Sequence, residues 1–533
     1  MLIKLAIMAL LGLSAIGLGA PLMRLLAPGI AGIAGPRLGL TGLLGLFVAA
    51  TIATLINFLM PITDMVAGIL FAIGLILCIA FGRDVGRKLW LSYFGCVVVS
   101  LPLSVLLLEG YDGGLYHLPH QLWITTDKVV FGLANLHGRF GFDSLYEPLL
   151  ALGWLPGGDL SVAQLIGGLF GLSFLTAMAE AMLHDADEPV ANYFACLLTV
   201  VYAWLHIVVT GPMGWTNTDT PAWIVLMISV YCGVNAYVYS NRDFLVLSFF
   251  FAVFAVALKL SAAPVLLVPL GLAIGLVIRG QAVRIPIVRS LFVCALFAPW
   301  LARNAVVSGC LLYPVVASCL EVPWAAASSA AGDAAAIKGI PHTSAWLLVW
   351  LRGGGLKLLI AWPAFLALGA AVAIMIQRRC RVVPTTGGLV FILAVYALAG
   401  TTWWVLMAPD PRHGFGHFVV LGILPGLLLL LRMPAPVEAA RPIQWLPISL
   451  LAVSLTIALG YSVTRWSLKV GTRVALAGYQ PFTVPDINTV RDNDVQRPVN
   501  GEDRCFLTPP PCSFYGASTQ RKLGAYVTFL PPR

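Results

Sequence analysis

Stretches of about 20 apolar residues recur along this chain almost from end to end, and that feature limits what it can fold into more than any other. The hydrocarbon core of a bilayer is about 30 Å thick and a helix rises about 1.5 Å per residue, so each stretch matches one crossing. The spans expected lie near 2–23, 39–59, 63–82, 89–108, 160–182, 191–210, 220–240, 243–258, 263–279, 287–302, 355–376, 386–407, 415–432 and 444–461. Only 10% of the 533 residues are charged and the mean hydropathy is +0.92. A soluble domain carries roughly 25% charged residues. The expectation is an all-α polytopic membrane protein of about 14 transmembrane helices, with 1–461 as the membrane body and 462–533 as a small outside segment. The N-terminal apolar stretch exceeds the roughly 7–15 residues of a signal-peptide core, so it reads as the first span.

The net charge of +9 reflects orientation rather than nucleic-acid binding. Lys and Arg sit in short links between apolar runs, and no basic stripe with interleaved aromatics occurs. One alternate set of links holds Arg24, Arg37, Arg83, Arg87, Lys88, Arg242, Arg279, Arg284, Arg289, Arg378, Arg379, Arg381, Arg432 and Arg441. The positive-inside rule makes this set cytoplasmic. The opposite set contains the long segments 109–159, 303–354 and 462–533, and places both termini outside. Cys310, Cys319, Cys505 and Cys512 fall in these outside segments, where an oxidising compartment permits disulfides. Cys505 and Cys512 bracket a Pro-rich loop, and a local bridge between them is the first choice among three possible pairings.

Charged groups near a membrane are costly unless paired or hydrated, so each is a functional candidate. Glu109, Asp112, Tyr116 and His117 follow the fourth span. The carboxylates suit a general base or a metal ligand, and His117 a substrate contact; an interfacial belt of acidic and aromatic residues is the lesser alternative, because so many polar groups fall so close together. Gly132–Asp143 reads as a short interfacial helix broken at Gly138, offering Asn135, His137 and Arg139. Arg139 presents the planar donor fork that binds phosphate. Asp219 opens the seventh span, as a helix cap or as a catalytic carboxylate. Lys259, on a very short outside link, either snorkels or reaches an anionic headgroup. Asp410 and Arg412 flank one proline, either pairing with each other or meeting substrate, and Arg303 is a further cation. No His/Asp spacing specifies a metal. Together these residues suit chemistry on a lipid-linked phosphate drawn from the bilayer.

The runs Leu115–Pro119, Gly132–Phe140 and Ala408–Arg412, with the Cys505–Cys512 tail segment, resemble a group of bacterial multi-pass proteins of the GT-C class of integral-membrane glycosyltransferases. The likeness spans about 109 to 515. It implies an enzyme of the bacterial inner membrane, active on the periplasmic face, that takes a sugar from a polyprenyl-phosphate carrier and passes it to a lipid, glycan or protein acceptor with inversion. Such enzymes often carry an acidic pair in the first loop. The spacing Glu109…Asp112 leaves open which carboxylate is the base. Asp112 or Glu109 would activate the acceptor hydroxyl, and Arg412, Lys259, Arg303 or Arg139 would stabilise the leaving phosphate. No cofactor is required, and a divalent metal is compatible. Two other readings stand beside this one. A lipid-linked sugar flippase would show an internal repeat and polar groups near the midplane, and an O-antigen ligase or polymerase would use a pyrophosphate-linked donor.

Overall fold

The structure, a computed structural model, describes residues 2–33, 38–105, 111–155, 159–184, 189–208, 216–278, 284–338, 387–407, 409–432, 487–492, 495–499, 502–513, 519–523 and 525–531, with short pieces around 348–376 and 456–460. Glu109, the span expected at 444–461 and most of that at 355–376 lie outside these residues.

The chain is a multi-pass membrane protein. Among the described residues, ten helices are long and apolar enough to cross a bilayer. The first group is α1 (Leu2–Leu26), the short α2 (Pro28–Ile33), α3 (Leu38–Leu59), α4 (Asp64–Phe81) and α5 (Arg87–Val105). Two short helices, α6 (Leu118–Thr126) and α7 (Tyr146–Ala151), lie in the long first loop. Then come α8 (Ser161–His184), α9 (Pro189–Val208), α10 (Asp219–Val238), α11 (Arg242–Leu258), α12 (Leu267–Ile278), α13 (Arg284–Leu296), α14 (Ala298–Ser308) and α15 (Ala327–Lys338). The last pair is α16 (Gly387–Met407) and α17 (Pro411–Arg432). The spans expected at 191–210 and 243–258 coincide with α9 and α11, which are helical but not among the ten. Those expected at 263–279 and 287–302 are composite: a 3₁₀ turn, Leu260–Leu266, leads into α12, and α13 runs on into α14.

Small residues set the packing of the first bundle. A Cβ on Gly45 of α3 would strike the Ala15 carbonyl of α1, and one on Gly17 would strike the Gly74 carbonyl of α4. Backbone contact of this kind is how helices associate in lipid, where burying apolar surface gives little drive. Deeper in, Phe47 of α3 packs against Phe250 and Phe254 of α11 at 4.9 and 5.4 Å, and against Phe297 at 4.6 Å. Each such aromatic pair contributes about 0.5–1.5 kcal/mol beyond its area. Glu180 of α8 is fully buried and accepts hydrogen bonds from the backbone N–H groups of Leu38 and Gly39 at 2.8 and 3.1 Å. It caps the start of α3, where orphan donors and the helix dipole favour a carboxylate.

Polar groups divide between the two ends of the bundle. At one end Arg24 lies over the Phe81 ring and Arg289 pairs with Asp243 at 2.5 Å, while Asp243 also accepts from Gly29 N. At the other end stand the first loop, the starts of α10 and α17, the end of α11 and the tail. Lys4, at the start of α1, lies within electrostatic reach of Asp159 at this same end.

The expected interfacial helix over Gly132–Asp143 does not form. Two 3₁₀ turns, Leu133–Asn135 and Gly138–Gly141, take its place. Gly132 is left-handed (φ 66°), and the side chains of Asn135 and His137 bond to backbone rather than to solvent, which competes with helix formation. Among its described residues from 487 on, the tail is not helical either. It carries two antiparallel hairpins, β1 (Thr489–Asp492) with β2 (Val495–Pro498) and β3 (Thr519–Leu523) with β4 (Tyr526–Leu530). The second docks on the first loop through Phe131 and Thr528, with the Tyr526 hydroxyl donating to Phe58 O at 3.0 Å.

Candidate functional site

A chain of charged side chains runs across the second end, joining segments up to 300 residues apart. Lys259, just past α11, meets the carboxylate of Asp219 at the start of α10. Asp219 lies 3.7 Å from His413, whose neighbour Arg412 reaches Asp112 at 2.6 Å and Asp410 at 3.2 Å. Asp112, Asp219, Lys259, Asp410 and Arg412 therefore converge from four parts of the sequence.

Local structure explains how each is presented. Asp410 precedes α17 and its carboxylate accepts from Arg412 N at 3.0 Å, an N-cap followed by proline at the first helical position. Two tryptophans fix this turn: Trp223 donates to Arg412 O at 2.9 Å and Trp404 to Asp410 O at 2.6 Å. His417, one turn further along, is bonded to the Tyr396 hydroxyl at 3.0 Å and to Ser261 O at 3.2 Å. Those contacts tie α17 to α16 and to the turn after Lys259. Asp219 is not the expected cap. It is the first residue inside α10, its N–H donates to Asn217 at 3.3 Å, and its carboxylate turns to Lys259. Its Oδ2 is buried with no hydrogen-bond partner among the described residues, a state that a ligand's donor would relieve.

Asp112 begins a single π-helical turn, Gly113–His117, that leads into α6. Such turns often mark functional sites because they re-aim side chains. Burial raises the affinity of Asp112 for a proton, but Arg412 and then His117 outweigh it and hold the carboxyl below its usual range. Burial and the neighbouring Asp112 push the Tyr116 phenol well above its ordinary value, so it stays a neutral donor. His117 bonds to Glu147 of α7 at 2.5 Å. Glu147 also accepts from Gln121 at 2.9 Å, and Gln121 accepts from Trp154 at 3.0 Å. The sequence reading did not single out Glu147, Gln121 or Trp154.

The tail reaches this turn. Phe506 N donates to Gly114 O at 2.9 Å, and the Phe506 ring occupies the place where a Cβ on Gly114 would stand. Asp503 bonds to the Tyr111 hydroxyl, and the Arg504 guanidinium lies over both Tyr111 and Phe506. Cys505 is joined to Cys512, and Cys310 to Cys319.

Residues 1–419 match a family model described as a domain of unknown function, DUF8201. The chain belongs to the DUF8201 family. Neither curated proteins nor solved structures give a match to it. The DUF8201 match takes in Asp112, Tyr116, His117, Glu147, Asp219, Lys259, Asp410 and Arg412, and ends before the tail that packs on the Asp112 turn.

Other sequence candidates in this DUF8201 chain stand apart from the cluster. Arg303 is buried in α14, where it binds Asp143 at 2.9 Å, Asn57 at 2.7 Å and His120 at 3.4 Å. Trp300 donates to Asp143 O and Asn57 donates to Ile124 O and Asp127 O, so Arg303 holds the first loop onto α3 and α14. Burial raises the Asp143 carboxyl to about 6 despite Arg303, and burial with Arg303 drives His120 well below its ordinary range. Asn135 donates to Trp324 O and Phe529 O, clamping the loop to the tail. His137 accepts from Arg139 N at 3.1 Å, and burial, then Arg139, lower it to about 4. Arg139 lies 3.9 Å from Asp333 and over the Phe142 ring. It is half-exposed and close enough to influence Tyr116.

Proposed function

We propose that this protein is a GT-C-type glycosyltransferase that moves a sugar from a polyprenyl-phosphate carrier to an acceptor hydroxyl, with inversion. The observation that carries the reading is the Asp112 carboxylate held against the Arg412 guanidinium, with the Lys259–Asp219 pair beside it, all at helix ends where a lipid-borne phosphate would arrive. The positive-inside rule assigns this end to the non-cytoplasmic face. With the bacterial resemblance, that is the periplasmic face of the inner membrane.

In the reaction, Asp112 takes the proton of the acceptor hydroxyl as its oxygen bonds to the anomeric carbon. The bond from that carbon to the phosphate oxygen breaks, and polyprenyl phosphate leaves with the electron pair. Arg412 and Lys259 stabilise the charge that develops on the phosphate, usually the largest contribution in a water-poor site. The donor's phosphate competes with Asp112 for Arg412. Binding therefore loosens the ion pair that keeps Asp112 a weak base, and makes it a better one as the reaction begins. Tyr116 donates a hydrogen bond to the bound sugar or phosphate, and Arg139 stands at the edge of the site for the acceptor. Glu109 is the alternative base by sequence.

Competition between donor types tests the reading. Purified protein in liposomes is offered a polyprenyl monophosphate sugar and the corresponding pyrophosphate. Transfer from the monophosphate alone supports it. Transfer from the pyrophosphate alone would assign the protein to the ligase and polymerase class, and movement of the intact lipid between leaflets without transfer would make it a flippase.

A further inference from the structure

The most unusual buried groups near the cluster are Glu147 and His117, which the mechanism above does not use. Both side chains are about 2% exposed, and they are bonded at 2.5 Å. A carboxylate buried this deeply is costly unless its oxygens are satisfied. Here Oε1 takes His117 and Oε2 takes the Gln121 amide, which is itself fixed by the Trp154 indole. The bond to Glu147 holds the imidazole at Nδ1 and sets its ring plane. The ring also lies against Tyr116, 4.1 Å between centroids and tilted by 38°. Asp112 stands five residues before His117, one π turn away, and feels its charge. The scaffold thus bears on the turn that follows Asp112, while the ion-pair partner of Asp112 is Arg412.

Resting on the transferase reading, we infer that Glu147 and His117 are positioning residues: Glu147 locks the imidazole, and the locked imidazole fixes the π-helical turn that presents Asp112 when the donor's phosphate draws Arg412 away. Neither residue touches the reacting atoms. The groups that act on Asp112 are Arg412 from the α17 turn, Lys259 past the end of α11, and Tyr116 and His117 from its own turn; Asp410 and Asp219 pair with Arg412 and Lys259 in turn, and Tyr111, Asp503 and Arg504 form the neighbouring tail contact. Among those on the first loop, His117 is the one with a second, buried anchor.

The test compares the wild type with Glu147→Gln and His117→Gln, purified in detergent at equal yield and assayed with a polyprenyl monophosphate sugar. Glu147→Gln keeps the shape of the side chain, so kcat is expected to fall by about 10²-fold, the cost of a small misplacement of a reacting group, with KM unchanged. In His117→Gln the loss of a positive neighbour is expected to move the acid limb of kcat/KM to higher pH, which a merely structural residue would not do. If Glu147→Gln does not fold, His117→Gln alone carries the pH test. Unchanged kcat and an unmoved limb in a wild type that does transfer sugar would overturn the positioning role and leave the transferase reading intact. A wild type that transfers none would overturn both.

Discussion

Two arginines of this chain look alike in sequence, each near the end of an apolar run, yet their surroundings give them different work. Arg412 is partly exposed and shared between Asp112 and Asp410. Arg303 is about 2% exposed and saturated by Asp143, Asn57 and His120. Arg412→Gln should therefore lower transfer by about 10²–10³-fold with little change in melting temperature. Arg303→Gln strands Asp143 and should cost about 3–5 kcal/mol of stability, read as a lowered melting temperature in detergent. A second expectation concerns pH. Burial and Arg139 lower His137 to about 4, below its ordinary value of about 6.5. The unfolded chain thus binds the proton first, and the contribution of this residue is whole above about 6.5 and lost as the pH falls toward 4. His120 acts in the same sense, whereas the raised Asp143 acts in the opposite one. The informative comparison is therefore His137→Asn, which can still accept from Arg139 N as a cap. Its melting temperature should fall less than that of the wild type between about pH 7.5 and about pH 5; parallel curves would refute the assignment.

The helices were legible because their signal is local: an apolar run of sufficient length, ended by charge or proline, needs no partner to be recognised. α1, α3, α4, α5, α8, α10, α16 and α17 lie within a few residues of expectation. The first loop was harder to read. Its turns are set by side chains that bond to distant backbone, as Asn135 does to Trp324 and Phe529, and periodicity carries no trace of such bonds. Glu180 and Glu147 were missed for a related reason. Each sits in an apolar or short helical stretch, and its partner lies 26 to 142 residues away. The tail hairpins gave no signal either, since their strands are only four or five residues long and the three before β4 are mostly polar. One element-level consequence is testable. Phe506 fills the space beside Gly114, so Gly114→Ala should push the disulfide loop off the Asp112 turn and lower transfer. Adding Phe506→Ala to Gly114→Ala should recover part of the loss, because the smaller side chain makes room. No recovery would mean that the tail contact does not act on the site through this pair.

Across the described residues the polar side chains gather at the two ends of the bundle. At the end bearing Asp243 and Arg289, an ion pair joins α11 to α13, and hydrogen bonds with the backbone of Leu26 and Gly29 tie both to the junction of α1 and α2. At the other end, the first loop, the starts of α10 and α17 and the end of α11 bring two cations and three carboxylates together, with a covalently closed tail loop on the Asp112 turn. Convergence of this cluster was only partly readable: the sequence offered Asp112, Asp219, Lys259, Asp410 and Arg412 as separate candidates, and the fold supplies their meeting. The account stands or falls on whether that meeting point performs sugar transfer with Asp112 as its base. The direct measurement is mass spectrometry of glycans and lipids from membranes expressing the wild type or Asp112→Asn at equal levels. The account predicts one added sugar and released polyprenyl phosphate with the wild type, and neither with Asp112→Asn. Equal transfer by both would contradict the assignment of Asp112, and transfer by neither would contradict the activity itself.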